Sequence, residues 1–194
     1  MRVINISNNI RIALTVTYLL CLYSTLGIVR PVAEYLRTAG ILLPTVFLLF
    51  TVFAPAALFW RYKQINRNQF LVRIILLLIL VCLAALISAL PEERLHFLTY
   101  GVAGWFICWS LEESITASAS SKQHRMTTHW LLPCLLVWLA GGIDELIQWR
   151  LPSRVYDIRD ILFNSIAGTA GVALFDTGRI RGHARKIPPR TADA

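Results

Sequence analysis

Six apolar runs, at about residues 12–29, 41–60, 74–90, 97–111, 130–147 and 158–175, divide most of the chain between them. A hydrocarbon core takes roughly 20 helical residues to cross, so runs of this length predict membrane-spanning helices. Composition agrees: 56% of the 194 residues are hydrophobic, 15% are charged and the mean hydropathy is +0.59, well above what a soluble domain of this size carries. The expected fold is all-α, a polytopic membrane helix bundle of about six transmembrane helices.

Charge decides how that bundle is oriented. The net +8 could indicate a polyanion-binding face, but the basic residues sit in short clusters at the ends of apolar runs, as topology signals do, so no nucleic acid partner is expected. Of the 19 Lys and Arg residues, 13 fall in the N-terminus, the connector after the second run, the loop after the fourth and the C-terminal tail. The other six are Arg30, Arg37, Arg94, Arg150, Arg154 and Arg159. The positive-inside rule then places both termini in the cytoplasm, a parity that six spans satisfy. The protein is expected in the cell membrane as a multi-pass protein, in the manner of a bacterial inner-membrane protein.

Along the chain, the first run follows Arg2 and Arg11, lacks a small-residue cleavage pattern and has no lipobox at Cys21, so it is read as a span and not a signal peptide. Arg30-Pro31 should break it, and Pro44 and Pro55 should kink the second run. The fourth run is short for a span, which puts His96 at the helix mouth, and a polar loop is expected over 112–129. Residues 1–66 thus read as an N-terminal two-helix hairpin, 67–178 as a four-helix domain and 179–194 as a basic, disordered cytoplasmic tail. The four cysteines lie in different apolar runs without Cys-x-x-Cys spacing and read as small packing residues.

Function is most legible in the stretch GGIDELIQWRLPSRVYDIRDILFNSIAGTAG, residues 141–171, which sets four carboxylates, three arginines, a Gln and an Asn between two apolar runs. Ionisable groups at membrane depth are costly unless they face protein or a wet cavity, which marks a functional site. Steps of three and four residues place Asp157, Asp160, Asn164, Gly168 and Gly171 on one stripe of the sixth span. The same spacing aligns Gly141 or Gly142, Glu145 and Gln148 on the fifth, and His96, Tyr100 and Gly104 on the fourth. Gly101, Gly104, Gly142, Gly168 and Gly171 are the expected packing seam. The polar ends converge on an outward-facing pocket of His96, Tyr100, Glu145, Gln148, Arg154, Asp157, Asp160 and Asn164. Asp157 with Arg154, and Asp160 with Arg94 or Arg159, could equally be ion pairs that seal helix ends.

The residues Glu92-Glu93-Arg94-Leu95-His96-Phe97-Leu98-Thr99-Tyr100, then Gly142-Ile143-Asp144-Glu145-Leu146-Ile147-Gln148, then Arg154, then Asp160-Ile161-Leu162-Phe163-Asn164 with Gly168 and Gly171, resemble the motifs of the VanZ-like family in order and helix context. The resemblance covers about residues 70–175, with the third run as the family's first helix. Two positions depart from the pattern: Glu93 stands where the family has Lys, and Ser153 where it has Gly before the Arg. If that Lys neutralises the carboxylates, Arg94 must replace it. The family's namesake is associated with low-level resistance to the glycopeptide teicoplanin. The resemblance therefore implies a cell-envelope protein, without a settled biochemical activity.

Signatures of known membrane enzymes fail on these residues. No His-Glu-x-x-His run exists, the Glu112-Glu113 pair lacks the Arg that prenyl-protein proteases carry where Ala117 stands, and a lipid phosphatase motif would need His and Asp that are missing. No cofactor or metal is assigned; His96, Glu145 and Asp160 are the one combination that could supply metal ligands. Three readings follow. The leading one is a non-catalytic envelope protein whose pocket binds a lipid or glycan head group, with membrane lipids and a lipid-linked glycan or cell-wall precursor as partners. The second is an enzyme acting on a lipid-linked precursor, with Glu145 or Asp160 as base and His96 as acid. The third is a small transporter or lipid-flipping unit, disfavoured because the polar stripes stop short of the cytoplasmic side.

Overall fold

The computed structural model of the protein describes residues 7–49, 52, 67–87, 93–118, 122–151 and 157–176. All regular structure among them is helical: α1 (Asn8–Thr38), α2 (Leu42–Leu49), α3 (Arg67–Ile87), α4 (Glu93–Ser118), α5 (Lys122–Arg150) and α6 (Ile158–Asp176). Three segments are long and apolar enough to cross a membrane, Asn8–Val29, Trp130–Arg150 and Ile158–Phe175. A fourth qualifies if the bent pair Pro31–Thr38 and Leu42–Leu49 is one span.

Where the chain turns differs from the expectation. Pro31 does not end α1, which runs 31 residues through it; proline removes a single backbone bond, which a long helix can tolerate. The break comes at Gly40, whose φ of 73° is a left-handed conformation that suits glycine. Gly40 N–H donates to Arg37 O and Ile41 N–H to Leu36 O, the paired bonds of a Schellman cap. The chain leaves this cap at 114° to its former direction, and Leu42 and Val46 of α2 pack back on Ala33, beside Leu36 and Leu95. The rest of the expected second span, apart from residue 52, lies outside the described residues.

The fourth run is short, as expected, and α4 is not among the segments apolar enough to cross a membrane, but the helix extends well beyond the run. α4 has 26 residues and takes Arg94 and His96 into its first turns and Glu112 and Glu113 into its last ones. Of the polar loop expected over 112–129, residues 112–118 are the end of α4 and 122–129 the beginning of α5, while 119–121 lie outside the described residues.

α6 is central, packed most extensively on α4 and also on α5 and α3. The α4–α6 contact is backbone on backbone: a Cβ at Gly104 would collide with the carbonyl of Gly168, and one at Gly171 with that of Gly101. Apolar area gains little between helices surrounded by lipid tails, so close van der Waals approach along small residues carries such a contact. Gly168 also leaves room for Val137 of α5. Gly142 is not in the seam, since nothing lies within 4 Å of a Cβ placed there; Gly141, one residue earlier, faces Asn164 instead. Around this seam Leu80, Phe97, Tyr100, Ala103, Ile107, Val137, Ala140, Phe163 and Ala167 form the main core. Large apolar side chains such as Leu20, Phe47, Leu78, Leu139 and Leu162 point outward.

α1 lies antiparallel along α4. Asn8 Nδ2 donates to Ser114 Oγ, Arg11 Nη1 to Glu112 Oε2, the Thr15 hydroxyl to Phe106 O and the Tyr18 hydroxyl to Thr99 O. The bundle therefore has two distinct ends. One holds the starts of α1, α3 and α5 and the finishes of α4 and α6; the other holds the starts of α4 and α6 and the finish of α5.

Candidate functional site

The second of these ends gathers the polar stripes. Tyr100, Asp144, Glu145, Gln148 and Asn164 are each at most 2% exposed, on three helices held together by the glycine seam one to two turns below. His96 Nδ1 lies 3.0 Å from Asn164 Oδ1, joining α4 to α6. The same nitrogen is 4.0 Å from Asp144 Oδ2 of α5. The His96 ring stacks beside Tyr100, centroids 6.5 Å apart, and the Tyr100 hydroxyl donates to Ala140 O at 3.3 Å. Gln148 Nε2 donates to Glu145 Oε1 at 3.2 Å, one helical turn apart on α5.

Asn164 is the group that packing alone does not explain. Its Nδ2 is buried and has no hydrogen-bond acceptor among the described residues. Leaving a buried donor unsatisfied costs about 1–3 kcal/mol, and Gly141 keeps a side chain from filling the space against it: a Cβ there would stand 2.9 Å from Asn164 Cβ. An apolar residue at 164 would avoid the cost. The side chains of Tyr100, Asp144, Glu145, Gln148 and Asn164 are enclosed in the bundle, while His96, with its side chain 14% exposed, reaches the surface.

Not every expected residue joins this group. Asp157 caps α6, accepting the Arg159 backbone N–H at 2.9 Å on Oδ1, while the Arg159 guanidinium donates to Oδ2 at 2.8 and 3.0 Å. These hydrogen bonds hold the Asp157 carboxyl below the usual carboxylate range. It belongs to helix-end architecture, and its ionic partner is Arg159; the alternative partner, Arg154, lies outside the described residues. Asp160 sits half-buried in the first turn of α6. No three His, Cys, Asp or Glu residues are placed to hold a metal among the described residues, so His96, Glu145 and Asp160 do not form a ligand set.

Two further residues belong here. Asp144, 1% exposed, approaches His96 and lies within electrostatic reach of Tyr100 and Tyr23. Its signal was available, because 141, 144 and 148 are also separated by three and four; choosing Glu145 alone for the stripe hid it. Tyr23 of α1 donates its hydroxyl to Ala140 O at 3.0 Å, the same carbonyl that Tyr100 uses. The N-terminal hairpin therefore helps to build the site instead of standing beside it. A hydroxyl in mid-run is the only trace of this in the sequence.

Compared with protein families, curated proteins and solved structures, the chain matches none.

Proposed function

We propose that the protein is a six-span membrane protein of VanZ-like type, with both termini in the cytoplasm and with His96, Tyr100, Asp144, Glu145, Gln148 and Asn164 forming an outward-facing site for the polar head group of an envelope lipid or lipid-linked glycan. The observation that carries this reading is the buried polar cluster itself. It joins three helices at one end of the bundle and contains an amide donor that no described group accepts. The 13 to six division of basic residues supports an outward position for that end. A transport path is disfavoured, because Phe163, Ala167, Val137 and Ile107 continue the core directly from the cluster.

Glu145→Gln, nearly isosteric, tests the reading. It should abolish an envelope phenotype, such as altered sensitivity to a glycopeptide that binds lipid-linked cell-wall precursor, while the protein remains inserted at normal abundance. An unchanged phenotype at normal abundance would sink it, and turnover of a lipid-linked precursor that Glu145→Gln abolishes would convert it into the enzymatic alternative. Orientation has its own test in a cysteine-free background: Ser153→Cys should react with a membrane-impermeant thiol reagent in spheroplasts and Thr191→Cys should not, the reverse pattern inverting the topology.

A further inference from the structure

The hydrogen-bond polarity of the site narrows its ligand. His96 Nδ1 faces two oxygens, Asn164 Oδ1 at 3.0 Å and Asp144 Oδ2 at 4.0 Å. A ring nitrogen with acceptors on both sides carries the proton, and in a neutral imidazole the other nitrogen, Nε2, then holds the lone pair. With Asn164 Oδ1 turned to the ring, as it is in this structure, the Asp144 carboxylate favours the same proton position. The side chain is 14% exposed and Nδ1 is turned to Asn164 and Asp144, which leaves Nε2 as the accessible edge. On the residue that Nδ1 contacts, Asn164 Nδ2 is a buried donor with no acceptor among the described residues.

Resting on the head-group reading above, we propose that the ligand is a hydroxyl-bearing one, a saccharide head group, recognised by His96 Nε2 as acceptor and Asn164 Nδ2 as donor. A sugar hydroxyl both donates and accepts, and adjacent hydroxyls offer the two functions side by side. A phosphate oxyanion only accepts: it would satisfy Nδ2 but set an oxygen lone pair against that of Nε2. An alkylammonium only donates, so it would serve Nε2 and leave Nδ2 as it was. Asp144 is a positioning residue here, holding the tautomer through Nδ1 and not touching the ligand.

The test uses the full chain in phosphatidylcholine nanodiscs, which avoids sugar-based detergent, at about pH 9, where a phosphate monoester is a dianion without a proton to donate, with diglucosyl diacylglycerol or phosphatidic acid added to the bilayer and maltose in solution as competitor. The glycolipid should bind more tightly than phosphatidic acid, and free disaccharide should displace it. His96→Asn decides the role of the ring, because an Asn amide nitrogen takes roughly the place of Nδ1 and has nothing at that of Nε2. It should leave the unfolding midpoint unchanged and weaken glycolipid binding about tenfold, the loss of roughly one hydrogen bond. Nitrogen-15 NMR of the wild-type His96 ring should report the neutral Nδ1–H tautomer, a readout that needs no variant to fold. Tighter binding of phosphatidic acid, glycolipid binding that maltose does not displace, undiminished binding by His96→Asn, or an Nε2–H or doubly protonated ring would each overturn this proposal while leaving a head-group site standing. Binding of neither lipid would overturn both.

Discussion

The two ends of the bundle bury polar groups in opposite ways. At the end where α1 begins, Arg11 lies between Glu112 at 3.4 Å and Glu113 at 3.0 Å, with its guanidinium 5.5 Å from the centre of the Trp109 ring. Nearby, the fully buried Arg73 donates to Phe175 O, placing a cation on the last carbonyls of α6 where the helix dipole is negative. Opposite charge meets opposite charge. At the other end two carboxyl side chains, Asp144 and Glu145, are neighbours in sequence, and an imidazole and an amide share one hydrogen bond while the amide nitrogen is left over. Polar burial by itself thus says little about function; what differs between the ends is charge, with cations set against carboxylates and a helix-end carbonyl at one, and adjacent carboxyl side chains beside an imidazole and amides at the other.

Breaking the Arg11 clamp should show the largest effect. Arg11→Leu leaves Glu112 buried without its cation and should lower stability by about 3–5 kcal/mol, measured by denaturant unfolding of the purified protein. Arg11→Leu with Glu112→Leu should recover most of that loss, as removing both partners of an architectural pair does; a double variant as unstable as the single one would show that the clamp is not a simple pair.

Asn164→Ala should behave in the reverse manner. It deletes one hydrogen bond, worth about 1 kcal/mol, but also the unsatisfied donor, so stability should stay within about 1 kcal/mol of wild type while the envelope phenotype is lost. A drop of several kcal/mol would make the two ends alike and remove the ground for calling this one a site.

The smallest effect is expected at Asp157→Asn, which keeps a good capping side chain and removes only the charge from an ion pair that is more than half exposed on its Arg159 side. Exposed pairs are screened, so the loss should be below about 1 kcal/mol. Because Arg159 lowers the carboxyl's folded pKa, the charged form is favoured by folding. Its contribution is complete above the unfolded value of about 3.9 and is lost as pH falls through the lowered folded value. The gap between wild type and variant should accordingly close in acid; a gap that persists there would assign the effect to the cap geometry.

How far the chain could be read before its structure was known depended on whether the signal was local. Apolar run length announced helices, and the three-and-four spacing brought His96, Glu145, Gln148 and Asn164 to one end before any contact was known. Helix limits were read less well. Pro31 looked like a stop because proline opposes helix locally, yet the stop belonged to Gly40, where a left-handed residue and two capping bonds were needed. Glu112 and Glu113 looked like loop because they are charged, yet Arg11, about a hundred residues away in sequence, makes a helix end tolerable there.

The sequence by itself determined that this chain forms apolar helices and where their polar residues concentrate, because hydropathy and helical period are properties of neighbouring residues. Only the tertiary structure decided that Gly141 and not Gly142 faces Asn164, that Asp144 joins His96 while Asp157 turns to Arg159, and that Tyr23 reaches Ala140. Each of these depends on how helices from distant parts of the chain are rotated against one another. Backbone contact along Gly101, Gly104, Gly168 and Gly171 sets α4 against α6, Val137 seats α5 on Gly168, and the Thr15 and Tyr18 hydroxyls tie α1 to α4, fits between surfaces that no single stretch of residues contains.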